Sequence, residues 1–374
     1  MKKVFLSILV IILLGSIITM GVGFKLNKSD NVVIKTYVDG VLASAPPAST
    51  DGYKVSNISC TNGASAKFNY STWRLEVSGT TSNTTCTVEF TNNDNETFAN
   101  YLISKACAST PTSDDAAKDC LVNENGYRYE GKNPNNYVLF NDELWRVIGV
   151  FSMTTEAGNT ENLVKLIRNE TLDGLAWHRS NTNDWSAATL QTQLNNGYLN
   201  ATDTTCNFNS SNTKTCYFSE TGLNSASRGM IESVVWNLGG TSSTSATADS
   251  FYTAERGTTV YNGRPTRWTG KVGLMYPSDY GYAVLASSCA RTTNLGDYDS
   301  TACTGNNWLK TGSYQWTLTP RSSSSNHVFS VYGYGYSSFD NAYNGYGARP
   351  SIYLKSSIAM MGGSGTYSDP YLIS

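Results

Sequence analysis

The clearest alternation of apolar and polar positions lies near the end of the chain, between Trp316 and Leu354. After W-T-L-T-P at Trp316–Pro320, residues His327, Phe329, Val331, Gly333 and Gly335 fall on one side of an extended strand. Asn326, Val328, Ser330, Tyr332, Tyr334 and Tyr336 fall on the other, because successive side chains point to opposite faces. The pattern predicts a strand that anchors through Phe329 and Val331 and then displays tyrosines opposite glycines. Tyr mixed with Ser, Gly and Asn is also the composition of binding loops, large amphipathic contacts beside small adaptable ones. The competing reading is a Tyr-rich edge strand with no ligand.

Before this stretch the chain reads as two blocks. From Asn31 to about Asn93 short runs such as Val32–Ile34, Tyr53–Val55, Ala66–Phe68, Trp73–Val77 and Thr87–Phe90 are separated by Gly, Asn and Ser turns, a small β-module. Trp73, Leu75 and Val77 alternate with Arg74 and Glu76, which marks a half-buried strand. A polar linker, Thr91–Glu96, leads to a short predicted helix, Phe98–Ala106, capped by Asn95 or Thr97.

The second block opens at about Tyr127. Tyr137–Phe140 and Trp145–Phe151 predict a hairpin turning at Asn141-Asp142, and the second strand is apolar enough for the middle of a sheet. Leu163–Ile167 is a further strand. Asp184–Tyr198 predicts a helix with Ser186 as its cap and Leu190 and Leu194 inward. Ser227–Leu238 predicts another, with Met230, Ile231, Val234, Val235 and Leu238 as its apolar stripe. Gly239–Thr247 is a Gly/Ser/Thr loop, Val272–Met275 a strand, Pro277–Leu285 a turn and short helix, and Tyr371–Ile373 a last strand. Strands early and late around two helices predict a compact α+β domain with its ends close together.

The N-terminus adds a membrane to this picture. Met1-Lys2-Lys3 precedes an uncharged run from Val4 to Phe24, closed by Lys25. About 20 apolar residues span a bilayer, and the leading lysines keep that end cytoplasmic. A cleavable signal peptide is the rival, with Gly21 and Gly23 as small residues before the cut. The expected organisation is therefore an anchor or signal at 1–25, the β-module as a stalk at 26–94, a linker with a short helix at 95–126, and a binding domain at 127–374. The body is exported, anchored outside the cell membrane or secreted if the N-terminus is cut.

The cysteines agree with export. Eight fall as four neighbouring couples, Cys60 with Cys86, Cys107 with Cys120, Cys206 with Cys216 and Cys289 with Cys303. Each brackets a short polar segment that a local bridge would close, and none has the C-x-x-C spacing of zinc or redox sites. A net charge of −2 with only 15% charged residues gives no electrostatic case for nucleic acid. Two histidines, His178 and His327, supply little for hydrolytic or metal chemistry.

Four segments carry a family resemblance: W-R-V-I at Trp145–Ile148, the helix around Trp185–Asn200, W-T-L-T-P at Trp316–Pro320 and A-R-P-S-I-Y-L at Ala348–Leu354. Together they resemble C-type-lectin-like domains of bacterial surface proteins, a group that includes relatives of formylglycine-generating enzymes and retroelement-diversified binding proteins. The resemblance covers about Tyr127–Leu354. It implies terminal strands that pair, a loop-rich ligand face, Trp145, Trp316 and Leu318 as core residues, and Arg349 with Pro350 steering the chain into the last main strand. The departures matter as much. Glu-Pro-Asn, Gln-Pro-Asp and Trp-Asn-Asp are missing, Trp236-Asn237-Leu238 being the nearest approach, so calcium-dependent sugar binding is not expected. No cysteine follows Cys303, which argues against the copper chemistry of the formylglycine generators.

Candidate chemistry then narrows to binding. Between Arg321 and Arg349 there is no Lys, Glu, Gln, Met or Trp, the residue types that retroelement rewriting of Asn codons excludes. Any small-polar, Tyr-rich loop would show the same gap. His178 near Ser180 lacks a G-x-S-x-G elbow or an Asp partner, and His327 with Asp340 is a possible charge pair without a recognisable pocket. Asp279 reads as a helix cap or turn residue. The expected ligand-binding residues are Tyr332, Tyr334, Tyr336, Asn341, Tyr343, Asn344 and Tyr346, with Ser322–Ser325 as a polar rim. The expected partner is a protein or glycan at the cell surface, with no catalytic group, metal or cofactor. A coat or stalk protein without a discrete ligand is the alternative, and an exported enzyme a weaker one.

Overall fold

The computed structural model describes residues 32–48, 53–69, 73–81, 83–92 and 96–374. The expected membrane helix, Val4–Phe24, and the middle of the expected linker lie outside the described residues. Among those described, no helix is long and apolar enough to cross a membrane. The chain divides after Asp94 into two units.

The first unit is all β, as the short apolar runs predict. Its strands are β1 (Val32–Val38), β2 (Val41–Ala43), β3 (Tyr53–Cys60), β4 (Ser65–Asn69), β5 (Arg74–Ser78) and β6 (Thr84–Asn92). Four of them form a sheet in the order β2-β1-β6-β3, and β4 with β5 makes a hairpin. Phe68, Leu75, Val88 and Phe90 are its buried core, with the Trp73 ring edge-on to Phe68. Cys60 and Cys86 sit opposite each other on β3 and β6 and are joined.

The second unit mixes several sheets with short helices. Its first strands are β7 (Val122–Asn123), β8 (Tyr127–Arg128), β9 (Tyr137–Phe140), β10 (Glu143–Thr154), β11 (Thr160–Arg168) and β12 (Leu172–Ala176). Then come β13 (Thr204–Asn207), β14 (Thr213–Cys216), β15 (Val234–Asn237), β16 (Arg267–Gly270) and β17 (Val272–Gly273). The last main strands are β18 (Gln315–Pro320), β19 (His327–Val331), β20 (Ser337–Asn341), β21 (Gly345–Ala348) and β22 (Ser351–Tyr353). A seven-stranded sheet runs β17-β22-β11-β10-β8-β7, with β9 also on β10. The expected β9–β10 hairpin forms because Asn141 and Asp142 both adopt positive φ, 58° each, the backbone of a tight turn that matches strand twist. β10 lies inside the sheet, as its apolar run predicts.

Residues 96–126, expected as a linker, belong to this unit. The helix Phe98–Ser104, capped by Thr97, buries Phe98 and Leu102, and Leu121 joins them in the core. The ends meet: Phe98 N–H donates to Ile358 O (2.7 Å), Met360 N–H to Glu96 O (3.3 Å) and Ala359 N–H to Ser374 O (3.0 Å). Trp145, Trp316 and Leu318 are buried, as expected. Arg349 is buried too, donating to Arg168 O (2.9 Å) and Leu309 O (3.2 Å). All four disulfides pair locally, Cys107–Cys120, Cys206–Cys216 and Cys289–Cys303 closing spans of 13, 10 and 14 residues in this unit. Four bridges and no free cysteine are consistent with an exported protein.

Two helices differ from expectation. Ser227–Leu238 is not one helix; it divides into a helix, Ser225–Met230, and the strand β15. Val234, Trp236 and Leu238 are buried at alternate positions, so its apolar residues fit period two as well as 3.6. Pairing with β16, Trp236 opposite Trp268, decides for the strand. The stretch Asp184–Tyr198 is helical but in three pieces, a 3-10 turn, an α-turn and a π-turn. Its cap is Asp184, whose Oδ1 accepts the Ser186 N–H (3.0 Å), not Ser186 itself. Leu190 and Leu194 are buried as predicted. Val272–Met275 forms a strand only over Val272–Gly273, and the helix after it begins directly at Pro277.

Charges stitch the interior of the unit together. Asp279, at the third position of the helix Pro277–Tyr282, accepts the Tyr276 N–H (2.9 Å), the helix-start role expected for it. It also accepts Lys165 Nζ from β11 (2.6 Å) and Arg128 Nη1 from β8 (3.0 Å), all three side chains being buried. Burial alone would raise the Asp279 carboxyl, but Lys165 and then Arg128 hold it down to about 2.

Candidate functional site

The expected ladder of tyrosines on a strand does not form. β19 stops at Val331, and Tyr332–Tyr336 make the turn into β20, with Tyr332 N–H donating to Tyr336 O (2.9 Å) and Gly335 N–H to Tyr332 O (2.8 Å). Gly335 has φ +107°, a conformation that favours glycine. The glycines serve the turn and do not thin an inner face. Phe329 and Val331 are buried as expected, but so are Val328 and Ser330. β19 is therefore covered on both sides.

The turn is held from outside itself. Tyr334 O accepts the Thr304 hydroxyl (2.9 Å), and Gly335 O accepts the hydroxyl of buried Tyr280 (2.6 Å). Thr304 directly follows Cys303, so the Cys289–Cys303 loop reaches the tip. Tyr334, which carries the first of these two anchored carbonyls, is 70% exposed.

Behind the tip the aromatic rings pack in a row. Ring centres are 4.9 Å apart for Tyr336 and Tyr332, 4.5 Å for Tyr332 and Tyr314, 5.0 Å for Tyr314 and Tyr346, and 4.6 Å for Tyr346 and buried Trp316. Asp340 organises the row. Its carboxylate accepts the Tyr332 hydroxyl (3.2 Å), the Tyr346 hydroxyl, the Asn344 amide (2.7 Å) and its neighbour's backbone N–H at Asn341 (2.8 Å). Tyr332 thus lies back along the sheet, since Asp340 stands four residues beyond Tyr336. Burial and then Asp340 push the Tyr332 hydroxyl up to about 12, and the same two causes raise Tyr346. Both phenols stay protonated at any ordinary pH and act as donors to the carboxylate.

The structure brings Tyr332, Asn344 and Tyr346 together around Asp340, with Tyr336 stacked on Tyr332. Asn341 is tied instead to Asn326 (2.8 Å) at the far end of β19. The expected serine rim, Ser322–Ser325, is also at that far end, where the buried Asn183 amide donates to Arg321 O, Ser324 O and His327 O. It does not border the tyrosines. The proposed His327–Asp340 pair gives way to other contacts: His327 stacks on Phe339 (5.1 Å), and burial followed by Arg321 lowers its pKa. His178 accepts the backbone N–H of Ser180 (3.3 Å), and its pKa is lowered by burial.

Tyr343, Asn344 and Tyr346 also line an open groove of about 640 Å³. Its other wall is the turn of the β13–β14 hairpin, Phe208–Asn212, closed by Cys206–Cys216. Tyr314, Thr304, Tyr280 and Phe208 were not among the expected site residues. Tyr314 had a visible signal, since it alternates with Trp316 across Gln315. The other three come to the site from distant segments. Among the described residues, no group of three His, Cys, Asp or Glu side chains converges. The chain matches no protein-family model, no curated protein and no solved structure.

Proposed function

We propose that this chain is an exported, surface-held binding protein, and that the tip Tyr332–Tyr336 with the ring row behind it is its ligand face. The observation that carries the reading is Tyr334. It is 70% exposed on a turn in which its own carbonyl and that of Gly335 are both held by other segments. An aromatic side chain kept outward on a fixed backbone loses little further freedom when a partner covers it. Rings whose hydroxyls are already committed to Asp340 present their faces and edges, the part of tyrosine suited to stacking.

The coarser architecture agrees with a C-type-lectin-like scaffold. Meeting ends, buried Trp145 and Trp316, and an Arg349 that fixes the approach to β22 are what that family would require. In this reading the first unit is a stalk, Val4–Phe24 the membrane anchor, and Ser322–Tyr346 the segment open to variation. A protein or glycan on another surface is the partner.

The test is adhesion and array binding by Tyr334→Ser, and by a variant combining Tyr332→Ser, Tyr334→Ser and Tyr336→Ser. An anchor tyrosine is expected to cost about 2 kcal/mol or more of binding. The reading fails if both variants stay folded and bind every wild-type ligand unchanged. One observation favours a coat or stalk role: the ring row is satisfied internally, through Asp340 and its own stacking. That role predicts no saturable ligand at all.

A further inference from the structure

The first unit is threaded so that the chain enters and leaves at opposite ends of one strand ladder. β1 opens the described part of the unit and β6 closes it, and the two lie side by side and parallel. Their register is unbroken from Val32 opposite Thr84 to Val38 opposite Phe90. The seven residues of β1 place Val32 about 20 Å from Val38. Tension applied between Val32 and Asn92 therefore pulls the two strands along their own length in opposite directions, so that one slides past the other.

The rest of the unit fixes β6 and leaves β1 as the strand that must slip. On its other side β6 pairs with β3, antiparallel, and Cys60–Cys86 joins those two covalently at the level of Ile34. Beyond β1 stand only the three residues of β2. Ile34 and Val38 of β1 pack on the core of Phe68, Leu75, Val88 and Phe90, so slip also drags apolar surface out of contact. At the far end Asp39 fastens the strands to one another. Its N–H donates to Phe90 O (2.8 Å), and its carboxylate accepts the Asn92 N–H (3.0 Å) and the Tyr53 hydroxyl of β3 (2.9 Å). Geometry decides how such a ladder fails. Peeled from one end, it gives way a residue pair at a time, each step releasing about 7 Å of chain. Sheared along its length, its bonds all leave hydrogen-bonding range within one slip of about 2–3 Å. For equal barriers the force needed varies inversely with that distance.

We propose that the first unit is a mechanical clamp, carrying tension between the membrane and the ligand face by holding the β1–β6 ladder in shear. The proposal rests on the reading of the chain as an anchored binding protein, and it concerns the stalk and not the tip. A ligand held on the second unit and an anchor before Val32 are joined by backbone that passes through Val32 and Asn92, so a pull on the ligand enters at β1 and leaves at β6. The two units then have separate tasks. One grips the ligand, and the other keeps that grip when the two surfaces are drawn apart.

The experiment is single-molecule pulling on the full chain, with handles coupled through thioethers to introduced cysteines. Val33→Cys with Asn92→Cys draws the ladder from opposite ends; Val33 is 52% exposed near the start of β1, and Asn92 is exposed at the end of β6. Val41→Cys with Asn92→Cys draws it from one end, since Val41, 69% exposed, directly follows the turn after β1. Lys35→Cys, also exposed on β1, replaces Val33→Cys where that variant does not fold. At one loading rate the opposite-ends pair is expected to unfold the unit at about twice the force of the same-end pair. Length identifies the event: with reductant present it grows by about 90 Å, the 26-residue span closed by Cys60–Cys86. A force ratio below about 1.5 overturns the clamp, and so does an opposite-ends event without the added length of the bridge. The two readings fail separately. Equal forces, with tip variants that lose surface binding, remove the clamp and keep the ligand face. A ratio of about two, with tip variants that bind as wild type, keeps the clamp and removes the face.

Discussion

Replacing Asp279 by Asn is the most direct test of what holds the platform beneath the tyrosine row. The amide keeps the size of the side chain and removes its charge. It leaves Lys165 and Arg128 as cations, fully buried and 2% exposed respectively, without their shared anion. Breaking a buried ion pair from one side costs about 3–5 kcal/mol. Cation–π contacts remain, the shortest being Lys165 at 4.4 Å from the Tyr276 ring centre and Arg128 at 4.5 Å from Phe151, and offset about 1 kcal/mol. A net loss of about 2–4 kcal/mol follows, or about 5–10 °C in Tm for a unit of this size. The pH dependence gives a second handle. The folded carboxyl sits at about 2, below its unfolded value of about 4. Its contribution is therefore fully present above about pH 4 and lost as pH falls toward 2, a slope worth about 2–3 kcal/mol. Urea unfolding followed by the fluorescence of buried Trp145, Trp177 and Trp236, from neutral to acid pH, measures both. Pairing Asp279→Leu with Lys165→Met should recover part of the loss, because the uncompensated ammonium goes with its partner while buried Arg128 stays without its anion. The reasoning is refuted if Asp279→Asn costs under about 1 kcal/mol at neutral pH or keeps the wild-type acid slope.

Two further outcomes follow from buried groups and tight backbone. Burial pushes the Glu130 carboxyl up to about 8, outweighing Arg291 at 2.6 Å. A raised carboxyl contributes stability that is full below its unfolded value and lost as pH rises through about 8. Glu130→Gln should thus flatten the fall in Tm between about pH 5 and 8, and a wild type that gains stability over that range contradicts the assignment. At Gly335, φ +107° and a Cβ that would stand 2.0 Å from Thr304 Oγ1 make alanine strained. Gly335→Ala should cost about 1–3 kcal/mol and speed hydrogen exchange at the Tyr332 and Gly335 amides; unchanged exchange there would count against the pinned tip.

What was legible in the sequence was local. The disulfides could be paired because each couple encloses its own short polar segment, and the β9–β10 turn because Asn141-Asp142 tolerates positive φ. Thr97 was one of two caps on offer, with Asn95, because its hydroxyl can accept a first-turn backbone N–H, here that of Asn100 (3.2 Å). The tyrosine stretch departs from its pattern because Gly333 and Gly335 look like spacers in an alternating strand, while the backbone uses Gly335 to turn. The Ser227–Leu238 stripe fitted two periods, and only the partner strand Arg267–Gly270 chose between them. The site itself was half visible. Tyr332 and Tyr346 could be named, but their common acceptor Asp340 depends on the register of β20, and Tyr280 and Thr304 arrive from 55 and 30 residues away.

The meeting of ends in the second unit makes it a cassette. Glu96 bonds to Met360 and Ser374 to Ala359, so both ends lie against one short run of backbone. Strand neighbours stand about 5 Å apart, and a linker of about three or four residues bridges two such spacings. The unit can therefore be closed into a ring and reopened in the exposed Ser242–Ser245 part of the Gly239–Thr247 loop without rearranging its sheets. By the same geometry it can be spliced into a surface turn of an unrelated host, carrying the tyrosine tip and its groove along as a transplantable head.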